Sequence, residues 1–157
     1  PLMLSEKKNF FKLFMNDVGL LAAMYMDGIQ SRILNGETEM NFGSVYENVV
    51  AQELLAHGFR PTYYNSSAHG EVDFIVEKNG RPLPIEVKSG KHYKRHRALS
   101  RLLEDEEYKI ESAVVFDDDA FNLEGKIVYA PIYMMMFLEK DALPESMLCD
   151  IGDPLKI

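Results

Sequence analysis

At 157 residues, with 46% hydrophobic residues and a net charge of −8, the chain is long enough for one globular domain with a real core. That composition excludes a disordered tail, and the acidity excludes a protein coated in nucleic-acid-binding surface. The longest apolar runs, Leu20 to Met26 and Ile132 to Leu138, fall far short of the roughly 20 residues a membrane-spanning helix requires.

No signal peptide is visible, and the single Cys149, which has no internal disulfide partner, suits a reducing compartment as a packing residue. The expected location is cytoplasmic. A start at Pro1 without an initiator methionine predicts a segment of a longer chain.

In chain order, Phe10 to Met15 reads as a short strand. Asp17 reads as the N-cap of a helix to about Met26, with a second short helix toward Leu34. Asn35-Gly36-Glu37-Thr38 is a loop. Ser44-Val45-Tyr46-Glu47 has the form of a capping box, opening a helix to His57 with Gly58 as its stop. On that helix Glu47 heads an apolar stripe of Val50, Ala51 and Leu54, so its carboxylate is expected on the core side. Strands follow at about Pro61 to Asn65, Val72 to Glu77 and Leu83 to Lys88. A helix is expected from Lys94 to about Glu106, then strands at Ser112 to Phe116 and Gly125 to Ala130. Pro131 opens a terminal helix through Leu138. From Ser44 the order is helix, three strands, helix, strand, which predicts an α/β fold with a mixed sheet flanked by helices.

The most informative stretch runs from Glu71 to Lys88. Asn79-Gly80 between alternating apolar residues is a strong hairpin signal, and a two-residue turn there pairs Lys78 with Arg81, Phe74 with Ile85 and Asp73 with Glu86. Asp73 and Glu86 would then form a non-hydrogen-bonded pair with Cβ atoms about 4.5–5.5 Å apart, their repulsion relieved by Lys88 on the face of Glu86 or by a hard cation. Phe74, Val72, Ile85 and Val87 would share the opposite face. Pro82 and Pro84 fit positions whose N–H would point away from the hairpin partner. A three-residue loop would slip this register and separate the acids.

Glu47, Asp73, Glu86 and Lys88 form the candidate catalytic set. Asp73 and Glu86, with Glu47 as a third ligand or an orienter of Lys88, would hold Mg2+ or Mn2+ and direct phosphodiester hydrolysis. Six of the seventeen basic residues lie between Lys88 and Leu103, with no acid among them. Beyond Lys88 these are Lys91, Lys94, Arg95, Arg97 and Arg101, a run suited to backbone phosphates. His92 and His96 lie within it and are expected to extend the same surface. Glu104-Asp105-Glu106-Glu107 and Asp117-Asp118-Asp119 read as solvated turns or helix ends.

The helix acid Glu47, the strand acids Asp73 and Glu86, and Lys88 resemble the signature of the PD-(D/E)XK nuclease superfamily, with Val72 in place of its proline before the first acid. More narrowly, Lys12 to Leu21, Gly43 to Asn48, Glu71 to Phe74 and Ile85 to Gly90 resemble the uncharacterised C-terminal domain of many prokaryotic AAA-type ATPases. This resemblance implies a restriction-endonuclease-like αβββαβ core over residues 41–157, preceded by a packing extension over residues 1–40. It also implies an ATPase domain, with its own ATP, ahead of both. No P-loop occurs in this chain, so none of its own segments is expected to bind ATP.

Plainer roles stand beside these. Glu47 is equally explained as the capping-box carboxylate, and Glu86 with Lys88 as a solvated strand face. His69 reads as an exposed loop residue, Tyr63 and Tyr64 as sheet packing, and Met134-Met135-Met136 as helix core or interface. The alternative function is a non-catalytic module that recognises nucleic acid or a protein partner. A toxin-like or defence-linked interaction domain is a third reading.

Overall fold

A computed structural model describes residues 11–25, 28–36, 42–89 and 96–141. The elements are α1 (Val18–Met24), α2 (Ile29–Leu34), α3 (Gly43–Ala56), β1 (Thr62–Ser66), β2 (Gly70–Lys78), β3 (Arg81–Val87), α4 (Arg97–Glu104), β4 (Ala113–Asp117), β5 (Asn122–Glu124), β6 (Ile127–Pro131) and a 3-10 helix at Ile132–Phe137. The six strands make one mixed sheet in the order β1-β2-β3-β4-β6-β5. The β1-β2, β2-β3 and β5-β6 pairs are antiparallel, and β3-β4 and β4-β6 are parallel.

Both faces of the sheet are covered, as the near-continuous apolar composition of its central strands requires. On one face Val50, Ala51 and Leu54 of α3, with Met135 of the 3-10 helix, pack on Phe74, Val76, Ile85, Val87 and Phe116. On the other, Leu99 and Leu102 of α4 pack on Val72, Ile75, Val115 and Tyr129. The stripe read on α3 is therefore its core face. Burial decides these faces, since each fully buried Leu or Val contributes roughly 1.5–3 kcal/mol.

The hairpin follows the two-residue turn. Asn79 and Gly80 both have positive φ, 53° and 69°, and Lys78 pairs with Arg81, Val76 with Leu83 and Phe74 with Ile85. One expectation fails, because Val72 does not share a face with Phe74. Thr62 pairs with Ile75 and Tyr64 with Val72, so two residues of β2, Asp73 and Phe74, oppose the single Tyr63. This bulge breaks the period-2 alternation and sends Val72 into the α4-side cluster, three residues from Ile75 in the same cluster.

Other boundaries also differ. Phe11 to Met15 is not a strand; the Met15 backbone bonds to the Asn48 side chain, with N–H to Oδ1 at 2.7 Å and Nδ2 to the carbonyl at 3.0 Å. Asp17 does cap α1, accepting the Leu20 N–H at 2.8 Å. The capping box does not form. Helix α3 begins two residues earlier than the box needs, Phe42 is its N-cap without a side-chain bond, Ser44 Oγ lies 2.7 Å from the Tyr25 hydroxyl, and Glu47 turns to Lys12. The short edge strand β5 went unread because its three residues are all exposed and carry no alternation. The terminal segment after Pro131 is a 3-10 helix rather than an α-helix. Met26, Glu37, Thr38, Lys91, His92, Lys94, Arg95 and Cys149 lie outside the described residues.

Helix α3 ends as read. Gly58 has φ +77°, its N–H bonds the Leu55 carbonyl at 3.0 Å, and the Phe59 N–H bonds the Leu54 carbonyl at 2.9 Å, a Schellman motif. Leu54 and Phe59 meet in the core beneath it. A Cβ at Gly58 would touch nothing within 4 Å, so only backbone strain opposes it. Gly58→Ala is expected to cost about 1 kcal/mol in urea unfolding with an unchanged slope. A neutral result would contradict the left-handed cap.

Candidate functional site

The site lies where the β2-β3 hairpin splays apart, beside the carboxyl ends of β3 and β4, the region where open α/β sheets place their ligands. The ladder between β2 and β3 ends at Phe74–Ile85. Asp73 and Glu86 are therefore not a ladder pair as expected. The bulge re-aims Asp73, whose Oδ2 accepts the Val87 N–H at 2.9 Å. Beyond Val87, the Lys88 N–H extends the parallel pairing to the Phe116 carbonyl at 2.8 Å.

Glu86 is only 5% exposed, between the sheet and the α4 side. Its Oε1 accepts from Lys88 Nζ at 2.5 Å, while its Oε2 is buried with no hydrogen-bond partner among the described residues. Burial first, and the Asp73 charge second, push the Glu86 carboxyl up to about 7, although the Lys88 ammonium and the Asp73 backbone amide pull the other way. Glu47 is also raised, chiefly by burial and then by the Asp73 charge, against the opposing pull of Lys12.

Lys12 completes the cluster and was not foreseen. Its Nζ lies 3.1 Å from Glu47 Oε2, 3.0 Å from Asp73 Oδ1 and 2.8 Å from Glu71 Oε1, and 5.0 Å from the centre of the Tyr63 ring. Burial works against its charge, but the hydrogen bond to Glu71 and the Asp73 and Glu47 carboxylates outweigh it and hold the ammonium protonated well above the usual lysine range. The Glu71 carboxyl is held below its usual range, first by the Lys12 hydrogen bond, with burial opposing. Glu71 was legible in principle, because it precedes Asp73 by one strand period. Lys12 carried a weaker signal: it alternates with Phe11 and Leu13, which are 71% and 87% exposed.

The structure thus brings Glu47, Asp73 and Lys12 together and places the Glu86–Lys88 pair beside Asp73. Among the described residues no group of three or more His, Cys, Asp or Glu side chains is gathered closely enough to hold a metal ion. The donor chemistry nevertheless suits a hard cation: carboxylate oxygens, with the buried Oε2 of Glu86 lacking a partner among the described residues.

Of the phosphate-binding candidates, Arg97 and Arg101 are exposed on α4. The first turn of that helix is close to the acids, since a Cβ built on Gly70 would lie 3.3 Å from the Ala98 Cβ and Gly70 precedes Glu71. His96 does not belong to that surface. It is buried, with Nε2 2.6 Å from the Tyr129 hydroxyl and Nδ1 3.2 Å from Ser100 Oγ, and burial lowers its pKa. His69 is not an exposed loop residue either: Tyr64 OH and Ser66 Oγ lie 2.9 and 3.2 Å from Nδ1, and Asp105 Oδ2 lies 2.9 Å from Nε2. This network ties the β1-β2 turn to the end of α4. Asp117, read as solvated, is fully buried, its Oδ2 without a partner among the described residues, while Asp118 accepts from Tyr46. Tyr64 packs as expected, Met135 is core, and Met136 is exposed.

A cavity of about 260 Å³ opens beside Lys12 and Glu47, lined also by Phe14, Tyr25, Ser44 and Asn48. A larger recess of about 650 Å³ lies away from the acids, beside Asp105, Lys109 and Lys126.

The fold and site define a mixed α/β domain with an acidic cluster at the splayed end of a central hairpin. Residues 42–135, more than half of the chain, match the family described as Domain of unknown function (DUF4143), and the chain belongs to that family. Neither the curated proteins nor the solved structures include a match to it. Among the described residues, no helix is long and apolar enough to cross a membrane.

The pH dependence follows from Glu86. Its carboxyl binds a proton more tightly folded, at about 7, than its ordinary 4.5, so the native state carries the extra proton between those values. Stability contributed by this group is full below the lower value and is lost as pH rises through the upper one. Glu86→Gln keeps the neutral form at every pH. From about pH 4 to pH 8 its stability should gain on the wild type by on the order of 3 kcal/mol, measured by urea denaturation. Parallel pH profiles would show that Glu86 is not strained by its neighbours.

Proposed function

We propose that this chain is a PD-(D/E)XK-type nuclease module with a restriction-endonuclease-like core, carried at the C-terminal end of a prokaryotic AAA-type ATPase, and that it cleaves phosphodiesters of nucleic acid with Mg2+ or Mn2+. In this reading residues 41–157 form the module, residues 1–40 pack on it as an extension, and ATP belongs to the ATPase domain. The observation that carries the proposal is the meeting of helix acid Glu47 with strand acid Asp73 beside the Glu86–Lys88 pair, in which the buried Glu86 Oε2 has no partner among the described residues.

Asp73, Glu86 and Glu47 would hold the metal. When bound, the ion would supply charge to polarise a phosphoryl oxygen and a water of lowered pKa. Lys88, which donates to Glu86 at 2.5 Å, would orient a nucleophilic water or stabilise negative charge developing on phosphate. Arg97 and Arg101, together with Lys91, Lys94 and Arg95, would hold the backbone phosphates alongside.

One observation favours a second reading. Lys12 already bridges Glu47, Glu71 and Asp73 without any metal, which suits a non-catalytic module that recognises nucleic acid or a protein partner through the basic run.

The two readings separate in a cleavage assay on single- and double-stranded DNA and RNA with Mg2+ or Mn2+. Asp73→Asn and Lys88→Met should each reduce cleavage at least about a hundredfold while nucleic-acid binding persists. Arg97→Glu with Arg101→Glu should weaken binding and flatten its salt dependence. Binding without cleavage by the ATPase-linked protein, unaffected by Asp73→Asn, would favour recognition.

A further inference from the structure

We infer that Lys12 is the resident cation of the acidic site and that a divalent ion enters only by displacing it, so that the N-terminal strap over residues 11–15 controls metal occupancy. The inference deepens the metal-site reading above and rests on it.

The geometry makes the two cations competitors for the same oxygens. Asp73 Oδ2 is engaged by the Val87 N–H at 2.9 Å, and Lys12 holds the other oxygen, Oδ1, at 3.0 Å. The same ammonium bonds Glu47 Oε2 at 3.1 Å. A hard cation such as Mg2+ contacts carboxylate oxygens at about 2.0–2.1 Å, and an ammonium on those same oxygens would face it at short range with like charge. Glu86 Oε2 has no partner among the described residues. The site is thus partly filled by the chain's own charge and partly ready for an external one.

The charge count points the same way. Apart from the Glu86–Lys88 pair, Glu47, Glu71 and Asp73 carry three formal negative charges against the one positive charge of Lys12. The remaining negative charge gives a divalent ion an electrostatic reason to approach, and loss of Lys12 from the cluster increases that attraction.

The strap is built to detach at its outer end. Its inner end is fixed by the two Asn48 bonds to Met15 and by Phe14, whose ring centre lies 5.3 Å from that of Phe74. Phe11 and Leu13 point outward, and the acids are the anchor of Lys12 itself. The cavity beside Lys12 and Glu47 leaves room for the side chain to swing without unpacking the core.

Calorimetric titration of Mn2+ into the wild-type chain and into Lys12→Met tests this directly, with acylation of the Lys12 amine of the wild type followed in parallel by mass spectrometry. Lys12→Met should bind at least about tenfold tighter, the gain should vanish when Asp73→Asn is added, and Mn2+ should accelerate Lys12 acylation in the wild type. Equal affinity in wild type and Lys12→Met, or saturation that leaves Lys12 acylation unchanged, would overturn the displacement while leaving the metal site standing. Absence of binding in both folded proteins would overturn the metal reading and the displacement together. Should Lys12→Met fail to fold, the acylation measurement on the wild type decides alone.

Discussion

Like-charge repulsion among Glu47, Glu71, Asp73 and Glu86 is the constraint around which one end of this domain is arranged. Carboxylates a few ångströms apart in a partly buried site repel by several kcal/mol at an effective dielectric near 20, so they persist only with cations or protons among them. The chain meets that demand in three ways: Lys12 bridges three acids, Lys88 pairs with Glu86, and Glu86 itself is drawn toward the protonated form. Among the described residues Glu86 Oε2 still has no partner, and the proposed cation site rests on that oxygen together with the acids around Lys12.

Backbone irregularity creates that site. Had β2 continued as a regular strand, Asp73 would face Glu86 across an ordinary ladder. The bulge opposite Tyr63 instead lets the Asp73 side chain take the Val87 N–H and reach Lys12, while Val72 turns to pack beneath α4. Bulges next to functional sites commonly re-aim one side chain in this manner. Packing on either side holds the distortion in place: Phe74 against Phe14 and α3 on one face, Val72 and Ile75 against Leu99 and Leu102 on the other.

Much of this was legible in the amino-acid sequence, and the failures share a cause. The Asn79-Gly80 turn fixes local geometry, so the register at Phe74–Ile85 followed from turn chemistry alone. The α3 stripe and the Gly58 stop are likewise local signals. The bulge was not legible, because no glycine or proline marks it and its reason is long-range. Lys12 lies 35 residues from Glu47 and 61 from Asp73, beyond any periodicity argument. The same distance hid the partner of Glu47: within the helix it completes a plausible capping box, yet a half-buried ammonium is a stronger partner than a backbone N–H. His69, His96 and Asp117 misled in the opposite direction, since polar residues in loops and basic runs are usually solvated, and here the fold closes over all three.

The central claim is that the acids at the hairpin's end form a divalent-cation site. Anomalous diffraction from crystals of the domain equilibrated with Mn2+ tests it most directly. The expected result is a single strong peak bonded to carboxylate oxygens of Asp73 and Glu86, with the Lys12 ammonium moved away from Asp73. A fully ordered site with no peak, Lys12 still on Asp73, and Glu86 Oε2 satisfied by a protein group or water would contradict it and leave the cluster a structural one.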